Sequence, residues 1–119
     1  MHVSMTPESK LNFFPQYEGL LKSRTKSATA RLGDIGNRFQ LGQRVTLTIG
    51  WDSDTGKVVA NGTIKELFVK RVKEITERDL DGESPDCLNK EALKYVLSSI
   101  YRTVVNDDDY VSIIKWRYE

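Results

Sequence analysis

An amine, a hydroxyl and a guanidinium lie close together in the segment Lys26-Ser27-Ala28-Thr29-Ala30-Arg31. Thr29 and Arg31 are two residues apart, so on a strand both project from one face. Lys26 is an odd number of residues from each. A regular strand would send it to the other side, so it joins them only if the chain turns between Lys26 and Thr29. A threonine hydroxyl is a poor nucleophile until a base takes its proton. The lone histidine, His2, sits in the terminal stretch, which argues against Ser-His-Asp chemistry and against a zinc site. The candidate base is then Lys26, provided its pKa falls from about 10.4 to about 7–8 through burial or through Arg24 and Arg31 nearby. A neighbouring glutamate would oppose that shift while orienting the amine. Without any such environment, the same residues make a solvated basic edge.

Charge is unevenly spread. The net charge is only +1, yet Lys22, Arg24, Lys26, Arg31, Arg38 and Arg44 face a single acid, Asp34, over that stretch. A basic segment inside a neutral chain points to a focused anionic ligand, a nucleotide or a short piece of RNA, more than to a long nucleic-acid track. The stretch from Asp79 to Asp86 is acidic, with no base. Trp51, at a hairpin tip, is a candidate platform for stacking a base. Asp107-Asp108-Asp109 reads as a solvated turn, because consecutive carboxylates diverge and do not converge on a cation; no metal or cofactor is expected. Cys87 lies among acids and reads as a structural thiol, since nucleophilic cysteines need cationic surroundings.

These side chains need a scaffold. Leu11-Asn12-Phe13-Phe14 reads as an opening strand, and Pro15 suits the first turn of a short helix carrying Tyr17, Leu20 and Leu21 to about Ser23. From Ser27 to Leu32 residues alternate, with Ala28, Ala30 and Leu32 inward and Ser27, Thr29 and Arg31 on the opposite face. Gln43 to Ile49 is a strand that buries Val45, Leu47 and Ile49 and turns its threonines away. A hairpin loop, Asp52 to Gly56, leads into a long strand from about Lys57 to Val72, with Asn61-Gly62 as its expected bulge. Thr76 and Asn89 are candidate N-caps, the second for a helix lined by Leu93, Val96, Leu97, Ile100 and Tyr101. Tyr110 to Tyr118 closes the chain as a strand. The reading is α+β: a small mixed β-barrel flanked by two or three short helices, one domain over residues 10–119 after a flexible terminus, 1–9. At 119 residues, 39% hydrophobic and 29% charged, one globular domain is the natural unit. No apolar run nears the roughly 20 residues that span a bilayer, so a cytoplasmic location is the default.

The segment resembles the signature of the ASCH family, a branch of the PUA-like barrels, whose motif has the form G-x-K-x-x-T-x-R after the first helix. Lys26, Thr29 and Arg31 occupy its positions, and Arg24 stands where the family has glycine. The resemblance continues through Leu41 to Val45, Ile75 to Leu80, Leu93 to Tyr101 and Val111 to Trp116, covering roughly Lys10 to Tyr118. It implies a PUA-like barrel that grips RNA, a nucleotide or a nucleoside in a basic cleft around Lys26, Thr29 and Arg31; Arg24, a bulky charge at the rim, and Trp51 are further ligand-binding candidates read from the residues themselves. One branch of the family comprises small bacterial amidohydrolases acting on acetylcytidine. Similarity to that branch implies a Lys–Thr–Glu triad of Lys26, Thr29 and Glu83, with Asp86 as the other candidate for the acid. A protein-interaction domain without chemistry is the third reading.

Overall fold

The computed structural model describes residues 10–52 and 54–119; the terminal stretch expected to be flexible, His2 included, lies outside them. Five strands make one sheet: β1 (Lys10–Phe13), β2 (Ala28–Leu32), β3 (Arg44–Ile49), β4 (Lys57–Arg71) and β5 (Tyr110–Tyr118), in the order β1-β3-β4-β5-β2. The β1–β3 pair is parallel and the other pairs are antiparallel, so the sheet is mixed, as expected. Two α-helices, α1 (Glu18–Lys22) and α2 (Lys90–Tyr101), and several 3-10 turns flank it. The fold is α+β, a sheet curled into a half-barrel. No described helix is long and apolar enough to cross a membrane.

Strand β5 shows why the sheet holds two cores. All six residues from Val111 to Trp116 are buried, because both of its faces are covered. Ile114 and Trp116 join Phe13, Val45 and Leu47 inside the half-barrel, whereas Val111 and Ile113 join Leu93 and Leu97 of α2 on the other face. Strand β2 pairs with β5 and inherits that arrangement: Thr29 lies opposite Ile114 and Ala30 opposite Ile113. The alternation read from sequence therefore sorts the two faces correctly, but Thr29 is not turned to solvent as the outer face of a sheet would be. It points into the half-barrel and is buried.

Two local expectations are corrected. The irregularities in β4 fall at Val59 and Lys65, where the register shifts against β3 and β5, and not at Asn61-Gly62. Gly62 has a packing role instead: a Cβ there would lie 2.9 Å from Trp116 Cδ1 and 2.9 Å from the Arg117 carbonyl, closer than any side chain tolerates. In β3, Thr48 is buried beside Leu47 and Ile49, because its hydroxyl donates to Asn12 Oδ1 at 2.7 Å across the β1–β3 pair. A buried hydroxyl with a partner carries little penalty. The helix caps follow the sequence: Asn89 Oδ1 accepts from Ala92 N at 2.8 Å and Thr76 Oγ1 from Asp79 N at 3.2 Å.

The sheet stops short of closing. Its edges are β1 and β2, and a side chain bridges them where a ladder would have run: Arg31 Nη2 of β2 donates to the Asn12 carbonyl of β1 at 2.9 Å. That open seam positions the site.

Candidate functional site

The segment before β2 is shaped by the end of α1. Arg24 N donates to Leu21 O at 3.1 Å and Thr25 N to Leu20 O at 2.9 Å, the paired bonds of a Schellman cap. That cap needs its residue after the helix in the left-handed region, and Arg24 has φ of +62°. Glycine adopts this backbone freely and arginine does so at a cost. The glycine-to-arginine departure thus leaves the turn intact and loads it with strain. The Arg24 guanidinium lies over the Tyr118 ring, 5.4 Å from its centroid, and is exposed outside the pocket.

After this cap the chain is pinned on both sides. Tyr118 Oη donates to the Lys26 carbonyl, Trp116 N donates to Ser27 O at 3.0 Å, and Ser27 N and Ala28 N both donate to Gly82 O. Gly82 has φ of +91°, and a Cβ on it would meet Ser27 Oγ at 2.6 Å, so the loop can approach this closely only with glycine. The chain turns earlier than the sequence suggested, at Ser23-Arg24; between Lys26 and Thr29 it is extended but irregular, with two successive amides on one carbonyl, and the residue after Gly82 arrives at the seam.

That residue is Glu83. Its carboxylate accepts from the Lys26 ammonium, from Ala30 N at 2.8 Å, and from Ser84 N at 2.8 Å and Ser84 Oγ at 3.2 Å. Lys26 Nζ also donates to Ala28 O at 2.9 Å. The pair thus satisfies one carbonyl and one amide on the free edge of β2, groups that an edge strand otherwise leaves open. Lys26 is 3% exposed and Glu83 9%. Burial holds the Lys26 amine below the ordinary lysine range, against the pull of Glu83 in the other direction. The Phe13 and Tyr17 rings sit 5.5 and 5.4 Å from Nζ, faces that favour a cation.

Thr29, 5% exposed, is bonded to Arg31 and not to Lys26: Arg31 Nε donates to Thr29 Oγ1 at 3.1 Å. The Arg31 guanidinium also lies 4.9 Å from the Phe13 ring centroid. Lys26, Thr29, Arg31 and Glu83 line one cavity of about 210 Å³, completed by Phe13, Tyr17 and the inner face of α2. Asp86, the other acid considered, accepts from Tyr17 Oη at 3.0 Å at the rim. Burial, then the Asp86 charge, push the Tyr17 phenol up. Cys87 lines the same cavity as a buried thiol whose pKa is pushed up by burial and by Glu83 and Asp86, consistent with a structural role.

Trp51 is 73% exposed and lies outside the cavity wall, tilted against Phe14 with ring centroids 5.4 Å apart; Phe14 does line the cavity. Asp107 and Asp108 are engaged with Lys94, Lys73 and Arg71, and no cluster of metal-ligating residues occurs among the described residues. Phe13, Tyr17, Val96 and Ile100 read from sequence only as core positions; nothing in their spacing marks them as cavity walls, because the wall is assembled from elements far apart in the chain.

Solved structures of similar shape decide the fold. The S128A mutant of ZmASCH from Zymomonas mobilis superposes with a TM-score of 0.64 over 97% of this chain and 70% of that one, at 10% identity. The ASCH domain from Lactobacillus crispatus matches at 0.59 over 85% and 69%, at 16% identity. This chain has an ASCH-domain fold. Protein EF3133 from Enterococcus faecalis shares the ASCH-like architecture with a TM-score of 0.59 over 98% and 82%, at 17% identity. No family model and no curated protein matches the sequence. Within the ASCH fold, Lys26, Thr29 and Arg31 stand at the seam between the two edge strands.

Proposed function

We propose that the seam cavity binds one heterocyclic base, presented by a nucleoside, a nucleotide or an RNA strand. The observation that carries this reading is the cavity itself: apolar and aromatic walls around a few convergent polar groups, Thr29, Arg31 and the Lys26–Glu83 pair, which is the usual composition of a small-molecule site. Its volume of about 210 Å³ lies below the roughly 300–1,000 Å³ of ordinary ligand pockets. That is the scale of one flat ring system and too little for a whole nucleotide. Arg31, anchored by the Asn12 carbonyl, offers a rigid donor to a ring carbonyl.

A second reading, removal of an acyl group from an acylated cytidine, is favoured by the company Thr29 keeps. Its hydroxyl accepts from Arg31, an interaction that favours the ionised oxygen, and it shares the cavity with a lysine whose ammonium is disfavoured by burial. In this reading Thr29 Oγ attacks the acyl carbonyl carbon, and a neutral Lys26 takes the hydroxyl proton and returns it to the departing ring amine. Water then releases the acyl group from Thr29. Glu83 orients the lysine.

One experiment separates the two. Wild type and Thr29→Ala are given cytidine in a binding titration and acetylcytidine in a turnover assay, with circular dichroism to verify folding. Binding of cytidine by both proteins is expected. Turnover by the wild type that falls by about 100-fold or more in Thr29→Ala establishes the hydrolase, and binding without turnover leaves the base-binding reading alone. Neither binding nor turnover would overturn both.

A further inference from the structure

Beside the base cavity lies a second, more open concavity of about 400 Å³ along α2, which shares the Tyr17, Val96 and Ile100 walls with it. The two differ sharply in charge. The inner cavity holds two cations and one carboxylate, Lys26, Arg31 and Glu83. Among the described residues, the charged one lining the outer concavity is Asp86, beside the neutral polar groups of Gln16, Ser99 and Tyr95. Asp86 is exposed and takes part in no ion pair among the described residues; the Tyr17 hydroxyl donates to its Oδ2 and the Cys87 thiol also engages its carboxylate. Its remaining acceptor capacity is therefore open to a donor arriving in the outer concavity.

A base seated in the inner cavity must send its sugar outward, and the neighbouring concavity, on the other side of shared walls, is the nearest recess for it. Ribose hydroxyls are donors and suit an unneutralised carboxylate. A phosphate on the same sugar would bring a second negative charge beside Asp86, with no lysine or arginine among the described residues that line the space to offset it, and nearby like charges repel.

We infer that Asp86 is a specificity-determining residue: the outer concavity is a ribose subsite whose lone carboxylate accepts from sugar hydroxyls and rejects phosphate, so the ligand is an unphosphorylated nucleoside and neither a nucleotide nor an RNA strand. This rests on the base-binding reading of the inner cavity and narrows it to one ligand class.

The test measures dissociation constants for cytidine and cytidine 5′-monophosphate with the wild type, Asp86→Asn and Glu91→Gln. Glu91, exposed on α2 and outside both concavities, controls for a general change in charge. The wild type is expected to bind cytidine at least about tenfold more tightly than the monophosphate. Asp86→Asn, which keeps the shape and removes the charge, should bring the two within about threefold, mainly by tightening the monophosphate, while Glu91→Gln keeps the wild-type ratio. The wild-type gap should also shrink in high salt. Equal or tighter binding of the monophosphate by the wild type, or a ratio unmoved by Asp86→Asn, overturns the inference and leaves the base cavity standing. Failure of cytidine itself to bind overturns the base-binding reading and this inference with it.

Discussion

Lysine meets carboxylate in two very different settings in this protein. At the seam, Lys26 and Glu83 form one pair, nearly sealed from water and braced by the Ala28 carbonyl and the Ala30 and Ser84 amides. At the turn before β5, Asp108 is held by Lys73 at 2.8 Å and by Arg71 at 3.6 Å, and Asp107 by Lys94 at 2.9 Å, all of them accessible to solvent. The turn has more pairs, yet the seam has more at stake. Water screens the exposed charges and would replace any lost partner, so each pair there contributes little. In the seam nothing replaces a lost partner, and the survivor is a charge stranded in a low-dielectric interior. The position of a pair, more than the number of pairs, sets its importance.

The largest expected effect follows from removing one member of the buried pair. Glu83→Ala should lower stability by about 3–5 kcal/mol in urea unfolding at neutral pH, and adding Lys26→Met should recover most of that loss by removing the stranded charge. A loss below about 1 kcal/mol would mean that the pair behaves like a surface one. The pH dependence has a definite sign. A lysine whose folded pKa lies below its unfolded value binds fewer protons folded than unfolded between the two. Stability therefore rises with pH across that window and levels off above about 10.4. With the opposing carboxylate gone, Glu83→Ala should recover stability as pH climbs toward that value more steeply than the wild type does.

An intermediate effect belongs to the turn that delivers Lys26 to the seam. Because Arg24 sits at positive φ with its backbone already satisfied, Arg24→Gly should be more stable than Arg24→Ala by about 1 kcal/mol in thermal unfolding. Equal stabilities would mean that the left-handed backbone carries no strain. The smallest effect is expected at the exposed cluster. Asp108→Asn should cost less than about 1 kcal/mol, and the difference should vanish in high salt; a larger, salt-resistant loss would erase the contrast with the seam.

Much of the scaffold was legible in sequence because it rests on local signals. Alternation located β2 and β3, Asn89 announced α2 by its cap, and the spacing of Lys26, Thr29 and Arg31 marked the segment that reaches the cavity. The bulges were misplaced because Asn61-Gly62 carries a turn-like composition, whereas the register shifts at Val59 and Lys65 arise from fitting a 15-residue strand to two neighbours at once. Gly62 answers to Trp116, more than fifty positions away in the chain, and no local pattern could reveal that.

The sequence by itself determined where strands β2 and β3 run, where α2 starts and the chemistry available to a site poor in histidine, because periodicity, capping and residue type act over a few neighbouring positions. Only the tertiary structure decided which carboxylate meets Lys26. Glu83 and Asp86 are three residues apart, and the sequence favoured the first without excluding the second; a glycine at positive φ brings Glu83 against β2, 57 residues from its partner, and Asp86 stays at the rim on Tyr17. It likewise decided that the sheet stays open and that Arg31 spans the gap. These outcomes depend on which backbone groups are left without partners once the strands have paired, and that is settled only when the whole chain is folded.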